Sequence, residues 1–562
     1  MSALSLLPIT VLALSASLAI AQEGGNSTEA PEITPFNWTS VEATTDLQWQ
    51  DCYMPPLQCT RFSVPLNYSN PDAGDAAIAV IRVPSSLPDT DEYRGPIFFN
   101  PGGPGGSGIN EWITGTGLAF IEWIGPEYDF VTFDPRGVNN TTPAIQIFDD
   151  PEEEAAYIES ISKSVDLSPD IWDTLPERLE DYRQYGPEIN EKFGDIVRHS
   201  TTDNVARDML AMVEAYGFEK LQYWGISYGS VLGSTFAAMF PDKVERIVIY
   251  GVISPIGYYN NDWEKTVVDA DNGLLSFFEL CAEAGAELCA FHNSTAEEIQ
   301  ERYNVLYERV TTRSIMISND TPLGPATFES TIHPVLYWPH QFPAIARTLA
   351  SLEEGITEPF EAESAVSAGT IIRCLDADIV RDTPEELIEY SEGVRNITKY
   401  LPGAVDGARM YCAGWYTNPD NFRGPFNKKK TSHPLLLIGN TYDVVTSLSE
   451  AHNTSALFEG SVVLTYDITG HTSIARASDC VHAYLRGYFI NGTLPEEGTI
   501  CQPNNPLIDV FSANTIEPGT GAGEDGDNGN GSGDGEDNGA LGQFGLSWSY
   551  LYIALSAVFV SL

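Results

Sequence analysis

Gly225-Ile226-Ser227-Tyr228-Gly229 places a serine hydroxyl where it could attack an acyl carbon. Glycines on both sides suit a strained turn in which neighbouring elements come too close for a Cβ. The residues before it, Leu221-Gln222-Tyr223-Trp224, read as a short buried strand, and Ser230 to Phe240 read as a buried helix rich in Ala, Leu, Phe and Met. The attack would build negative charge on the carbonyl oxygen, which needs donors fixed in advance. The N–H of Tyr228, just after the serine, is one. The loop Asn100-Pro101-Gly102-Gly103-Pro104-Gly105-Gly106 follows an apolar strand and can bring bare N–H groups to the same oxygen. Its continuation Gly103-Pro104-Gly105-Gly106-Ser107-Gly108 is formally a G-x-G-x-x-G, but Pro104 and the strands ahead of it fit poorly with a dinucleotide site.

A serine on a strand-to-helix elbow is the arrangement of the α/β-hydrolase fold, in which the partners follow in the order serine, acid, histidine. Of eight histidines, only His452, His471 and His482 come after a suitable late acidic loop. His471 stands just past the strand-like run Val462 to Ile468, whereas His452 and His482 fall in helical stretches. His471 is therefore the expected base. Asp443 is the first acidic residue after the apolar run Leu435 to Ile438 and is the expected orienting acid, with Glu450 as the fallback.

Strand-like segments at Ala77 to Val83, Pro96 to Asn100, Asp129 to Asp134, Val244 to Tyr250, Pro434 to Ile438 and Val462 to Ile468 must hold these groups. An amphipathic helix, Thr202 to Tyr216, leads into the elbow strand. Such alternation predicts an α/β protein with a mostly parallel sheet and helices on both faces. The stretch 254–430 has mainly helical periodicity and is expected to be an inserted cap between two parts of the core, 22–253 and 431–516.

A net charge of −50 leaves little cationic surface for nucleic acid. The run Leu4 to Ala21, ending in Ala19-Ile20-Ala21, reads as a secretory signal over residues 1–21. Eight cysteines suit an oxidising compartment, and neighbour pairing (Cys52 with Cys59, Cys281 with Cys289, Cys374 with Cys412, Cys480 with Cys501) is the expectation. N-x-[ST] sequons at Asn37, Asn67, Asn140, Asn293, Asn319, Asn396, Asn453 and Asn491 fit a glycoprotein. Residues 517–545 form a Gly/Asp-rich spacer expected to be disordered, and 546–562 an apolar tail. With small residues at Asn538-Gly539-Ala540, these match a glycosylphosphatidylinositol attachment signal and predict a lipid anchor in the outer membrane leaflet, at the cell surface. No metal-ligand spacing such as C-x-x-C or H-E-x-x-H is present, and no cofactor is expected.

From Trp49 to Pro506 the chain resembles the tripeptidyl-aminopeptidase branch of the prolyl-aminopeptidase-like serine peptidases, peptidase family S33. The resemblance rests on Cys52 to Cys59 with Val64-Pro65-Leu66-Asn67-Tyr68, and on Asn100 to Gly105, Phe133-Asp134-Pro135-Arg136-Gly137 and Trp224 to Gly229. It continues through Cys374-Leu375-Asp376, Cys412-Ala413-Gly414-Trp415, Asp443 to Thr446, Gly470-His471 and Cys480. It implies Ser227, Asp443 and His471 as a triad, Gly103 and Tyr228 as oxyanion donors, and a carboxylate for the substrate's α-amine, for which Asp376 is the candidate. Val138 to Thr141 and Val444 depart from the pattern, which puts the shape of the substrate entrance in doubt. The implied activity is release of short N-terminal peptides through an acyl-enzyme, with peptides bearing a free N-terminus as partners. A carboxylesterase on the same scaffold and an inactive surface binding protein are the alternatives.

Overall fold

The computed structural model describes residues 33–145, 175–317, 322–357, 368–415, 421–472 and 476–511. The expected signal segment, spacer, apolar tail, Asn538 and the sequon at Asn319 lie outside the described residues.

Eleven strands among the described residues form one sheet. They are β1 (Ala43–Thr44), β2 (Gln50–Asp51), β3 (Gln58–Pro65), β4 (Asp75–Val83), β5 (Pro96–Asn100) and β6 (Asp129–Phe133). The rest are β7 (Leu221–Ile226), β8 (Val244–Tyr250), β9 (Leu436–Tyr442), β10 (Val462–Thr469) and β11 (Ile500–Cys501). Their spatial order is β1-β3-β4-β6-β5-β7-β8-β9-β10-β11, with β2 against β3. From β6 through β11 every pairing is parallel, while β3, β4 and the β4–β6 junction are antiparallel. This is the α/β-hydrolase architecture expected from the alternation of elements.

β5, β6 and β7 are buried along their whole length, as strands covered on both faces must be. Alternate side chains serve opposite layers. Phe98 and Tyr223 join the core beneath helices Thr202–Ala215 and Tyr228–Met239. Phe99 and Trp224 join the core beneath Gly108–Ile113, Thr116–Trp123 and Asp479–Asn491. There Phe120 stacks on Trp224 at 4.5 Å, and Phe99 on Trp112 at 5.1 Å.

Between β8 and β9 the described helices and strands are all helical, among them Ala270–Ala284, Pro325–Leu336, Ala368–Asp376 and Gly403–Met410. The helix Leu175–Val197 precedes the elbow in sequence but packs in a separate cluster with Ile371, Cys374, Met410 and Trp415. All four neighbour disulfides are present, and no cysteine is free.

Candidate active site

Ser227 sits between β7 and helix Tyr228–Met239 with φ 56° and ψ −121°, a left-handed backbone that a non-glycine residue rarely holds. The surrounding packing enforces it. Ser227 N–H donates to the Tyr250 carbonyl at the end of β8 (2.8 Å). A Cβ on Gly225 would come within 2.2 Å of the Gly229 carbonyl oxygen, and one on Gly229 within 2.7 Å of the Asn100 carbonyl oxygen. The expected elbow is therefore a steric requirement on both flanking glycines.

β9 runs four residues beyond the expected Ile438, so Asp443 comes immediately after its end. Asp443 Oδ2 lies 2.8 Å and Oδ1 3.1 Å from His471 Nδ1, with both side chains essentially sealed from solvent. The carboxylate is held by the N–H groups of Val445 (3.1 Å) and Thr446 (2.9 Å) on Oδ1 and by the Thr446 hydroxyl (2.8 Å) on Oδ2. A carboxylate facing Nδ1 fixes the proton there and leaves the lone pair on Nε2. His471 Nε2 is buried and has no hydrogen-bond partner among the described residues. The ring borders Gly251, the residue after the Tyr250 carbonyl that binds Ser227: a Cβ on Gly251 would stand 2.7 Å from His471 Cε1. Elbow and base thus meet at the C-terminal end of β8. The Ser227 hydroxyl makes no hydrogen bond to Nε2, a contact that in serine hydrolases commonly tightens only with substrate.

The alternatives considered from sequence lie elsewhere. His482 stacks on Trp123 at 4.8 Å, and His452 is exposed on helix Leu448–Ser455. Glu450 accepts from Ser254 N–H and Asn453 and has no contact with His471.

The glycine loop lies across the elbow. A Cβ on Gly102 would meet Ser227 Cβ at 2.9 Å and Tyr228 N at 3.3 Å, and its φ of 103° also favours glycine. Gly102 N–H is already bound to Asn100 Oδ1 (3.1 Å). The N–H groups of Gly103 and Tyr228 have no acceptor among the described residues, and Tyr228 opens its helix, where N–H groups lack intrahelical partners. Tyr228 N–H adjoins the serine directly, and Gly103 follows the Gly102 that packs against Ser227 Cβ.

Asp134, from the Phe133-Asp134-Pro135-Arg136-Gly137 motif, fixes the far end of this loop. It accepts from Ser107 Oγ (2.6 Å) and Ile109 N–H on one oxygen, and from Asn140 N–H and Nδ2 on the other. Arg136 of the same motif pairs with buried Asp208 through two hydrogen bonds, at 2.5 and 2.7 Å. Arg136 also donates to the carbonyls of Leu66 and Pro65, tying the end of β3 to helix Thr202–Ala215.

Asp376 is placed differently from a substrate-facing carboxylate. It is 2% exposed; Oδ1 accepts Thr202 N–H (2.9 Å) and Oδ2 accepts the hydroxyls of Thr202 (2.5 Å) and Tyr258 (2.8 Å). The Thr202 hydroxyl also bonds the Tyr228 hydroxyl. Burial raises the Asp376 carboxyl to about 7 against the opposing effect of these donors. Its recorded contacts are internal and anchor helix Ala368–Asp376 behind Tyr228.

Sequence reasoning passed over three groups that hold the triad. Thr446 Oγ1 also lies 3.1 Å from His471 Nδ1. His333 Nε2 is 3.0 Å from the Val444 carbonyl, and the Tyr337 carbonyl accepts His471 N–H at 2.8 Å. Thr446 could have been found from its place three residues after the acid; the other two lie over 100 residues away, with no local signal. Among the described residues no group of three His, Cys, Asp or Glu side chains is arranged to hold a metal ion.

A profile of the α/β-hydrolase fold matches residues 95–289, and one described as TAP-like protein matches residues 402–501. The chain is 25% identical over 494 residues to the tripeptidyl aminopeptidase of Streptomyces lividans, covering 82% of this chain and 88% of that protein. It is 26% identical to the serine protease Hip1 of Mycobacterium bovis (79% and 87% covered). It is equally identical to a carboxylesterase B of Mycobacterium tuberculosis (85% and 92% covered).

Proposed function

We infer that this chain, a serine hydrolase of the α/β-hydrolase fold with a TAP-like C-terminal region, is an aminopeptidase that releases short peptides from free N-termini. The observation that carries the chemistry is His471, bound to Asp443 through Nδ1 with Nε2 buried and unpartnered at the Ser227 elbow. In this reading Ser227 Oγ attacks the scissile carbonyl carbon and passes its proton to Nε2. Gly103 N–H and Tyr228 N–H receive the oxyanion. Collapse of the adduct returns the proton from His471 to the departing amine and leaves an acyl-serine. A water molecule, deprotonated by the same nitrogen, then frees the peptide fragment. Removing one oxyanion donor typically costs about 2.7–4 kcal/mol of transition-state stabilisation.

Comparing free and N-acetylated forms of one peptide tests the aminopeptidase reading; equal rates would end it. Simple esters belong in the same panel, because the carboxylesterase relative keeps an esterase reading in contention. A fluorophosphonate probe should label the wild type and not Ser227→Ala. Failure to label the wild type would favour an inactive binding protein.

We further propose a secreted, glycosylated protein anchored by lipid at the cell surface. Support comes from the apolar N-terminal run, the polar spacer with its apolar tail, and four disulfides. The sequon asparagines 37, 293, 396, 453 and 491 are also exposed. Release from cells by a phosphatidylinositol-specific phospholipase tests the anchor.

A further inference from the structure

We propose that Arg373 receives a carboxylate of the peptide substrate, an inference that rests on the peptidase reading above. Arg373 lies on helix Ala368–Asp376 and is 7% exposed, with Nε sealed from solvent and lacking an acceptor. None of its nitrogens makes a hydrogen bond or ion pair with a described residue. Of the three guanidinium nitrogens, only Nε is fully sealed, so the terminal fork keeps some accessible surface and has no acceptor among the described residues. Its recorded ring neighbour is Trp263, 5.4 Å from Cζ.

An arginine cannot shed its charge at ordinary pH, and an enclosed cation without a counter-ion is costly. Arg136, also buried, is paired with Asp208 through two bonds. This chain carries 79 acidic residues against 29 basic ones, so an unmatched guanidinium is not explained by a shortage of carboxylates. The planar fork is suited to bidentate capture of a carboxylate brought from outside.

Position in the fold ties this fork to the serine. Residues 369, 373 and 376 share one helix face at i, i+4 and i+7 spacing. At the first of them, Gly369 N lies 2.7 Å from where a Cβ on Gly105 of the glycine loop would stand. At the last, Asp376 reaches Tyr228 through Thr202. Tyr258, whose hydroxyl donates to the same Asp376, has its ring 5.7 Å from that of Tyr228. The face that borders the oxyanion loop therefore also presents the unmatched cation.

The experiment is a peptide series cut by the full-length protein, varying Glu against Gln at each of the first five positions and free acid against amide at the C-terminus. The wild type should favour one carboxylate about ten- to hundredfold in kcat/KM, the range of a charge-assisted pair, and the arm that responds identifies its source. Arg373→Met should lose that preference while still reacting with a fluorophosphonate, and Arg373→Lys should keep part of it. Indifference of the wild type to both arms overturns the proposal, as does an Arg373→Met enzyme that keeps the preference. Should Arg373→Met fail to fold, the wild-type panel and Arg373→Lys still decide. A wild type that cleaves esters but no peptide removes the peptidase reading itself; peptide cleavage without carboxylate preference removes this inference alone.

Discussion

The backbone N–H of His471 donates to the Tyr337 carbonyl oxygen at 2.8 Å, and the Tyr337 ring meets the imidazole edge-on with centroids 5.3 Å apart. Tyr337 closes helix Pro325–Leu336, so the helical region between β8 and β9 sets the position of the base. One turn earlier, His333 bonds the carbonyl of Val444, the neighbour of Asp443. Burial pushes the His333 imidazole down to about 4, so near neutral pH it is an uncharged N–H donor. One helix end thus grips both the acid loop and the base loop. Tyr337→Ala should lower kcat up to about tenfold, the worth of an aromatic pair, with KM little changed. Tyr337→Phe, which keeps ring and carbonyl, should retain most of the activity. A fall in KM alone, without loss of kcat, would contradict the positioning role.

Replacing Asp443 by Asn keeps the shape but presents an amide to His471 and can turn it to the wrong tautomer. By analogy with other serine triads, kcat should drop about 10⁴-fold while KM stays close to wild type. Steady-state rates on a cleavable peptide, with circular dichroism to confirm folding, check this.

Thr446 offers a subtler test. Its hydroxyl donates to Asp443 Oδ2 and lies beside His471 Nδ1. Thr446→Val leaves a buried carboxylate one donor short, a cost of about 1–3 kcal/mol, so kcat/KM should fall about five- to hundredfold. Thr446→Ser should restore most of it.

Two buried groups give stability opposite pH dependences. His333 is held below its ordinary 6.5, at about 4, by burial. Its contribution is present above pH 6.5 and disappears as pH falls through 4, at most about 3 kcal/mol. Asp376 is raised from 3.8 to about 7, also by burial, so its contribution is complete below pH 3.8 and lost as pH rises through 7. Denaturant titrations from pH 4 to 8 should show His333→Gln losing less stability than wild type on acidification. Asp376→Asn should lose less on approach to pH 8. Parallel curves for variant and wild type would refute either assignment.

The elbow, its glycines, the glycine loop and the order Ser227, Asp443, His471 were legible in the chain because each is local chemistry. A strained turn demands particular neighbours, and a strand end is marked where an apolar run stops. The sheet followed from the same signal, since strands buried on both faces read as continuous apolar runs. Strands β1, β2 and β3, at one end of the sheet, gave no such signal, being short or only partly buried. Contacts between residues far apart in sequence were decided by packing alone. The resemblance made Asp376 the candidate for the substrate's α-amine, and only the folded chain shows its carboxylate bound by Thr202 and Tyr258. His333 and Tyr337 grip the acid and base loops across more than 100 residues, and Arg373 meets no acid among the described residues of a chain full of them. Residue type and spacing record what a short segment can do; which distant groups share a desolvated space depends on how the helices settle over the sheet.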